Sequence, residues 1–174
     1  MTRTFRIRRL PQAEARGAAS ALAAVMADCV RGGASVGFMA DMTLAEAEAF
    51  WRGQTAADDG RAILVAEDDE GLFGVVQAIP VSIPNQPHRI DVAKLLVHRR
   101  GRRRGAADAL MAAVEDAARE MGRWLLVLDT VTGSPADFLY EKRGWSRAGV
   151  IPDYALYPDG ARCDATFFYK ALDR

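Results

Sequence analysis

Hydrophobic positions follow two periodicities along the chain, and their alternation predicts a mixed α/β fold. Short alternating or continuous apolar runs predict strands at residues 5–10, 62–66, 72–79, 90–97, 124–129, 145–151 and 166–172. Apolar positions at helical spacing predict helices at residues 12–31, after Thr43, at 103–121 and at 135–142. We therefore expect one domain spanning residues 1–174, with a six- or seven-stranded, mostly antiparallel mixed sheet and helices on both faces.

The centre of the chain has the pattern of a βαβ unit. Strand 90–97 leads through the helix at 103–121 to strand 124–129, in which Trp124–Leu128 is a continuous apolar run. Such a run is typical of a strand that is covered on both faces. These two strands should therefore be parallel, with a right-handed crossover, at the centre of the sheet.

Composition narrows the classes of function. The chain has 23 basic and 23 acidic residues, so no overall field draws it to nucleic acid or to a membrane. The N-terminus lacks an apolar signal segment, no run approaches the length of a membrane span, and Cys29 and Cys163 are far apart. These features predict a cytoplasmic protein with free thiols. Neither histidine has partners at metal-ligand spacing, so no metal is expected.

One dense basic cluster lies between the predicted strand 90–97 and the helix after it. Five arginines occupy the six positions from Arg99 to Arg104, and the small residues Gly105–Ala107 follow directly. The free N–H groups and the dipole of a helix N-terminus favour negative charge, and small residues let a phosphate approach the backbone. Neither the Walker loop nor the dinucleotide fingerprint is present. The turn therefore predicts a site for some other polyanionic ligand.

The spacing around this turn carries a family resemblance. The motif Arg102-x-x-Gly105-x-Ala107, with Val97 five residues before Arg102, resembles the acetyl-CoA motif of the GNAT acetyltransferases. The segment Phe138–Trp145, which reads FLYEKRGW, resembles a second segment of that family, and the order of elements is similar throughout. Within the family, the chain resembles the branch that includes tabtoxin-resistance acetyltransferases. That branch acetylates the amine of a small amino-acid-like antibiotic.

The resemblance implies that acetyl-CoA is the polyanionic ligand and the acetyl donor. The main chain of Leu95, Leu96 and Val97 would bind the pantetheine arm in the manner of an added strand. Main-chain N–H groups and arginine charge would hold the pyrophosphate, contributed by Arg102, Arg103, Arg104, Gly105, Ala106 and Ala107. Ser134 stands where the family often has a cofactor-binding asparagine, and is expected either to contact the cofactor or to serve only as a helix N-cap.

Acetyl transfer to an amine needs an acid for the leaving thiolate and a base for the amine. Tyr140 matches the tyrosine that family members place near the cofactor sulfur, so the resemblance implies that it is the acid and a cofactor contact. Asp91 is the first candidate base, because its even offset from Val97 predicts that both side chains project from one face of the strand. Asp129, at the end of a buried strand, is the second candidate, and water could relay the proton.

Acceptor-facing groups are expected from two loops. The loop after the first helix supplies Phe38 and Met39, and the loop before the last strand supplies Tyr154 and Asp153, which could pair with a cationic amine. Together these features predict an acetyl-CoA-dependent N-acetyltransferase for a small amine, and they leave a homodimer open. A protein or peptide amine is the alternative acceptor. A non-catalytic module that binds acyl-CoA or nucleic acid is the alternative class.

Overall fold

Seven strands form one sheet in the computed structural model, which describes residues 5–173. The strands are β1 Arg6–Arg9, β2 Ala62–Asp68, β3 Gly71–Pro80, β4 Arg89–Val97, β5 Leu125–Val131, β6 Ser146–Leu156 and β7 Arg162–Ala171. The α-helices of the described chain are α1 Gln12–Ala15, α2 Ala19–Arg31, α3 Leu44–Ala56, α4 Ala106–Glu120 and α5 Pro135–Lys142. Short 3₁₀ turns lie at Arg16–Ala18 and Arg99–Gly101.

The sheet is antiparallel except at its centre. Its strand order is β1-β2-β3-β4-β5-β7-β6, and β4 pairs with β5 in parallel. Helix α4 connects these two strands, as a crossover between parallel neighbours requires. The predicted fold class and its central βαβ unit are therefore confirmed.

Helices cover both faces of the sheet and divide the core into two parts. On one face, α4 packs over β2, β3 and β4, with Ile90, Leu110 and Phe168 fully buried. On the other face, α2 and α3 enclose Met26 and Trp51, which are also fully buried. The strand residues of this second core come from β2, β3 and β4, so the same face of β5, β7 and β6 is left open. This open face borders the candidate site.

The long helix begins later than the sequence pattern predicts. The pattern predicts a start at residue 103, but α4 starts at Ala106. Arg103 and Gly105 have φ angles of 60° and 82°, which belong to the left-handed region and not to a right-handed helix. Residues 102–105 therefore form a turn, with Gly105 as the N-cap of α4.

Strand β6 is longer than predicted and forms one edge of the sheet. The predicted strand ends at Ile151, whereas β6 continues to Leu156. The pairing with β7 shifts register between Ile151 and Ala155, and such a bulge lets an irregular stretch stay within a strand. Asp153 and Tyr154 therefore lie in this strand and not in the predicted loop.

A β-bulge divides β4 at Lys94. The register with β3 slips by one residue between Ala93 and Leu96, and Lys94 has a φ angle of 56°. A bulge of this kind inserts one extra residue and reverses which face the following side chains occupy. The alternation of the strand therefore cannot be counted through Lys94.

The bulge overturns the predicted shared face of Asp91 and Val97. Before the bulge, Ile90 and Val92 face the core beneath α4, whereas after it Leu95 and Val97 do so. Asp91, between two side chains that face α4, points to the opposite face from Val97. The prediction is wrong because an even offset preserves the face only in a regular strand.

Candidate active site

The turn before α4 presents main-chain donors at its surface. The first helical hydrogen bond runs from Ala109 N to Gly105 O at 3.0 Å. The N–H groups of Gly105, Ala106 and Ala107 have no hydrogen-bond acceptor among the described residues, as is usual in the first turn of a helix. The helix behind them is 15 residues long, so its dipole adds to the attraction for an anion.

Three of the five arginines in this region are bound by carboxylates of the protein itself. Asp28 of α2 accepts hydrogen bonds from the main-chain N–H and the Nε of Arg99. Asp68 of β2 accepts hydrogen bonds from Arg100 and Arg104, each at 2.8 Å. Both carboxylates are almost fully buried, so these arginines fasten the turn to α2 and β2.

Arg102 and Arg103 remain available to supply charge to a ligand. Both are exposed. Arg102 makes one long hydrogen bond, from Nε to the Val97 carbonyl at 3.4 Å, and Arg103 has no side-chain partner among the described residues. The predicted contribution of guanidinium charge therefore narrows to these two residues, because the Arg104 guanidinium is engaged by Asp68.

The Asp28 carboxyl is ionised when it binds the turn through Arg99. Burial disfavours its charge, but the hydrogen bonds from Arg99 outweigh burial and lower the pKa of Asp28 below the ordinary carboxyl value. A carboxyl whose pKa is lower in the folded state stabilises the fold above its unfolded pKa. That contribution is lost as the pH falls through the lowered value.

Gly101 is required by close packing against Phe73. A Cβ atom built at residue 101 would lie 2.1 Å from the Phe73 ring, which is itself covered by the guanidinium groups of Arg100 and Arg104. We expect Gly101→Ala to lower the free energy of unfolding by about 1–3 kcal/mol, since overpacking forces the ring and the turn to move. Thermal unfolding measures this loss. Gly17→Ala, where a Cβ meets nothing within 4 Å, is the matched control, and equal melting temperatures for the two variants would contradict the packing argument.

Strands β4 and β5 part beside the turn. Their parallel pairing runs from Arg89 to Asp91 on β4 and ends at Val127 on β5, although both strands continue. Beyond Asp91, the edge of β4 that faces β5 has no strand partner in the described part of the chain. An extended ligand can pair with such an edge through main-chain hydrogen bonds, and Leu95–Val97 lie along it.

Tyr140 lies at this gap with an unpartnered hydroxyl. Its ring is buried on α5, with its centroid 5.8 Å from that of Trp145 and 5.6 Å from that of Phe168. The hydroxyl has no hydrogen-bond partner among residues 5–173, and it is not sealed from solvent. Burial, together with the nearby Asp129 carboxylate, raises the pKa of Tyr140 far above its ordinary value. The phenol is therefore neutral throughout the ordinary pH range.

Asp129 and Lys94 shift each other's pKa across the same gap without forming an ion pair. Asp129 is exposed on the open face of the sheet, but partial desolvation by the surrounding protein raises its pKa, and the Lys94 ammonium partly reverses that effect. Burial lowers the pKa of Lys94, and Asp129 partly reverses it. The Lys94 Nζ donates to the Val36 carbonyl at 2.9 Å and lies 5.6 Å from the centroid of the Phe50 ring.

Sequence reasoning misses Lys94. The signal in the sequence is a charged residue inside the apolar run 92–97. A lysine is rarely fully buried, so its presence in such a run is unusual.

Asp91 lies on the same open face as Asp129, two residues earlier along the sheet. Its register partner on β5 is Val127. The Asp91 carboxylate is paired with Arg89, at 3.2 Å between Nε and Oδ1. The structure thus brings both predicted bases to one face, but the Asp91 carboxylate is already paired with Arg89 on the same strand.

The loop between α2 and α3, residues 32–43, borders the open face of the sheet, and the space between this loop and the open face is termed the cleft. The Ser35 hydroxyl donates to the Leu156 carbonyl at 2.6 Å, and the Ala40 N–H donates to the Pro158 carbonyl at 3.0 Å. Because Lys94 also bonds this loop, at Val36, the loop bridges β4 and the β6–β7 hairpin. The bridge narrows the space above the open face of the sheet.

Aromatic side chains from this loop and from the sheet line the cleft. Phe38 is half-buried and packs edge-on against Phe50, with centroids 5.3 Å apart, while Met39 is exposed. Tyr154 is exposed and packs edge-on against Phe167, also at 5.3 Å. The predicted acceptor-binding residues thus include apolar groups that remain accessible.

Asp153 and Ser134 already have intramolecular partners. The Asp153 carboxylate pairs with Arg162 at 3.1 Å, although both side chains are exposed, which makes such a pair weak. The Ser134 hydroxyl accepts from the Asp137 N–H at 3.2 Å as the N-cap of α5. Of the two roles predicted for Ser134, the N-cap is the one that the structure displays.

Fold, turn and cleft together place the chain among the acetyltransferases in structural class. A model of the acetyltransferase (GNAT) domain family matches residues 59–147, which is half of the chain, and the chain therefore belongs to that family. Human N-acetyltransferase 8 is 35% identical over 95 residues, covering 53% of this chain and 42% of that protein. The match therefore spans less than half the length of that relative.

Solved structures share the fold over nearly the whole chain. Ribosomal-protein-alanine N-acetyltransferase from Brucella melitensis superposes with a TM-score of 0.78 at 22% identity, covering 96% of this chain and 99% of that one. The protein yncA from Salmonella typhimurium, solved with its cofactor acetyl-CoA, gives a TM-score of 0.78 at 18% identity, covering 98% and 95% of the two chains. At these identities, the likeness concerns the fold.

Three further observations concern the described residues. None of their helices combines the length and apolar character needed to cross a bilayer. Within residues 5–173, no three His, Cys, Asp or Glu side chains form a group suited to a metal ion. Cys29 and Cys163 are both buried free thiols.

Proposed function

We propose that this chain transfers the acetyl group of acetyl-CoA directly to the primary amine of a small molecule. The observation that carries the proposal is the gap between β4 and β5, where the charge of Asp129 acts on Tyr140, together with the free N–H groups of the α4 turn. The turn fits a pyrophosphate, and the unpaired edge of β4 fits an extended arm that ends at this gap. Acetyl-CoA bound to yncA, a protein with the same fold, supports this choice of ligand.

The residues at the gap have complementary roles in the transfer. The free amine attacks the thioester carbonyl carbon, so that a C–N bond forms and the C–S bond breaks. Asp129, ionised, accepts the proton that the nitrogen loses, directly or through one water. Tyr140 donates a hydrogen bond to the departing thiolate, and the proton held by Asp129 finally reaches that sulfur as free thiol is released. Asp91 is the second candidate for the base.

The raised pKa of Tyr140 refines its predicted role as the acid. A thiol has an ordinary pKa near 8.5, so a phenol with a raised pKa does not readily give up its proton to a thiolate. It instead stabilises the negative sulfur through a charge-assisted hydrogen bond. Tyr140 is proposed to act in this way, with proton delivery coming from another group.

A small acceptor is favoured by the bridge that loop 32–43 makes across the cleft. The bonds of Ser35 to Leu156 and of Ala40 to Pro158 tie this loop to the β6–β7 hairpin, and a loop held there leaves less room for an extended peptide than for a small molecule. A nucleic-acid module is disfavoured, because Arg99, Arg100 and Arg104 are bound by internal carboxylates. The N-terminal alanine named for the Brucella melitensis relative is the alternative acceptor type.

Finer features of the proposal rest on sequence alone. The tabtoxin-resistance branch, a role in antibiotic resistance and a cytoplasmic location stay predictions. A homodimer also stays a prediction. The edge strand β6 offers exposed apolar side chains on which a second copy could pack, namely Val150, Ile151, Tyr154 and Leu156.

Binding of acetyl-CoA tests the cofactor half of the proposal. We expect acetyl-CoA to raise the melting temperature of the wild type, and Gly105→Glu to abolish most of that shift. A glutamate at residue 105 would add negative charge at the phosphate turn and strain a φ angle of 82°. Gly122→Glu is the matched control, since it places the same side chain at the other end of the helix, where φ is 66°.

Release of free thiol from acetyl-CoA in the presence of an amine panel then tests the transfer. Small amines, diamines and peptides ending in alanine form three arms of the panel. A melting temperature that ignores acetyl-CoA but responds to an oligonucleotide would overturn the enzyme proposal. Turnover confined to the peptides would overturn the small acceptor.

A further inference from the structure

The Lys94 ammonium is half-buried and makes no ion-pair contact among the described residues. No carboxylate oxygen comes within 4.0 Å of Lys94 Nζ in the part of the chain that the structure describes. Its contacts are the Val36 carbonyl and the face of Phe50, and these satisfy one of its three N–H donors by hydrogen bonding. A buried ammonium is costly unless it is paired, so this position is suited to an incoming anion.

Asp129 faces Lys94 across the gap, close enough to perturb it electrostatically but too far to form an ion pair. A ligand placed between them meets a carboxylate on one side and an ammonium on the other. Such a pair complements a molecule that carries an amine and an anionic group a short distance apart. The amine end is the one that must lie near the proposed base, Asp129.

We propose that Lys94 binds a carboxylate of the acceptor, so that the preferred substrates are small amines which carry a carboxylate, such as α-amino acids. This inference rests on the proposed function and specifies the acceptor of the same site. One ammonium matches the single charge of a carboxylate, whereas a phosphate monoester brings about two negative charges at neutral pH. The accessible aromatic side chains Phe38, Tyr154 and Phe167 provide a surface for the rest of the acceptor.

A comparison of free acids with their amides tests the proposal. The common L-amino acids and their α-amides are assayed as acceptors by thiol release, with wild type, Lys94→Met and Lys94→Gln. In Lys94→Met, we expect the ratio of kcat/KM for acid over amide to fall about tenfold to a hundredfold, mainly through KM. At a pH above the acid limb of both enzymes, amide turnover should fall far less than acid turnover, because the amide never engaged the charge. The α-amine of an amide is less basic than that of the free acid, but this difference affects wild type and variant equally. The change in the ratio therefore measures the contribution of Lys94.

Three variants separate charge from structure. Lys94→Gln keeps an N–H donor for the Val36 carbonyl but no charge, so it should lose the preference for acids as Lys94→Met does. Lys94→Arg should retain most of the preference. Lys142→Met, on the exposed end of α5, removes a lysine away from the gap and should change nothing. A melting-temperature shift with acetyl-CoA confirms that each variant is folded.

The outcomes separate this inference from the proposed function. Equal losses for acids and amides in Lys94→Met would assign Lys94 to the thioester and overturn the carboxylate site. Turnover of diamines or peptides without turnover of any free acid would also overturn it, as would acetyl-CoA binding with no acetylation of any amino acid. If acetyl-CoA fails to bind at all, the proposed function itself fails.

Discussion

Replacement of Tyr140 by phenylalanine is expected to lower kcat about a hundredfold or more, with the affinity for acetyl-CoA nearly unchanged. The substitution removes only the hydroxyl, which has no partner among the described residues, and it keeps the ring packed on Trp145 and Phe168. The loss should therefore fall on the step in which the thiolate departs. Steady-state kinetics with the best acceptor of the panel, and titration of acetyl-CoA, measure the two quantities.

Removing a buried phenol hydroxyl rarely has so large an effect when the hydroxyl is structural. A structural hydroxyl would be hydrogen-bonded, and its loss would appear in the melting temperature and not in kcat. Tyr157→Phe, which removes a phenol from the β6–β7 hairpin, is the matched control and should retain full turnover. Equal kcat values for Tyr140→Phe and wild type would exclude Tyr140 from the chemistry.

Asp129→Asn is expected to lower kcat/KM about a hundredfold or more and to remove the acid limb of its pH dependence. Asp129 can accept a proton only when it is ionised, so the rate of the wild type falls as the pH drops through its pKa. Although Asp129 is exposed, partial desolvation raises that pKa above the ordinary carboxyl value, which moves the acid limb to a higher pH. An asparagine cannot titrate, and the limb disappears.

Lys94 influences the pH at which this acid limb lies. Its ammonium favours the ionised form of Asp129, so Lys94→Met should raise the pKa of Asp129 further and shift the limb to higher pH. Lys94 is the charged group that shifts the pKa of Asp129 in this way, and the Asp129 carboxylate in turn raises the pKa of the neutral Tyr140. The shift of the acid limb in Lys94→Met is thus a second measure of the electrostatic interaction between Lys94 and Asp129.

Asp91→Asn is the control for the choice of base. Asp91 is paired with Arg89, and its substitution should lower the rate far less than Asp129→Asn does, with the acid limb in place. A pH profile that loses its acid limb in Asp91→Asn and keeps it in Asp129→Asn would reverse the assignment. The first candidate suggested by spacing along the strand would then be the base after all.

Much of the fold could be predicted because it depends on local pattern. The apolar run Trp124–Leu128 and the helix before it indicate a parallel strand and its crossover, and the structure confirms both, although one face of β5 is open and not covered as the run predicts. The phosphate turn could be located because Gly105 and the two alanines follow an apolar strand directly. These features need no knowledge of contacts between distant residues.

The parts that could not be predicted depend on partners far away in sequence. The engagement of Arg100 and Arg104 by Asp68 joins positions more than thirty residues apart, at sequence separations of 32 and 36, so the sequence alone presents them as free charge. The face of Asp91 cannot be counted from the sequence, because a bulge leaves no mark in an apolar run. The full length of β6 cannot be predicted, because Pro152 and Asp153 lower the strand propensity of a segment that pairing with β7 nevertheless keeps in the sheet.

The bulge at Lys94 makes the residue count of β4 as important as its composition. Deleting one residue there would leave the strand equally apolar, yet it would turn Leu95 and Val97 away from α4 and turn Leu96 toward it. Natural variants of this strand should therefore differ by substitution and keep their length. Insertions and deletions should instead accumulate in connections such as the one between α3 and β2, where a change in length does not alter the register of any strand.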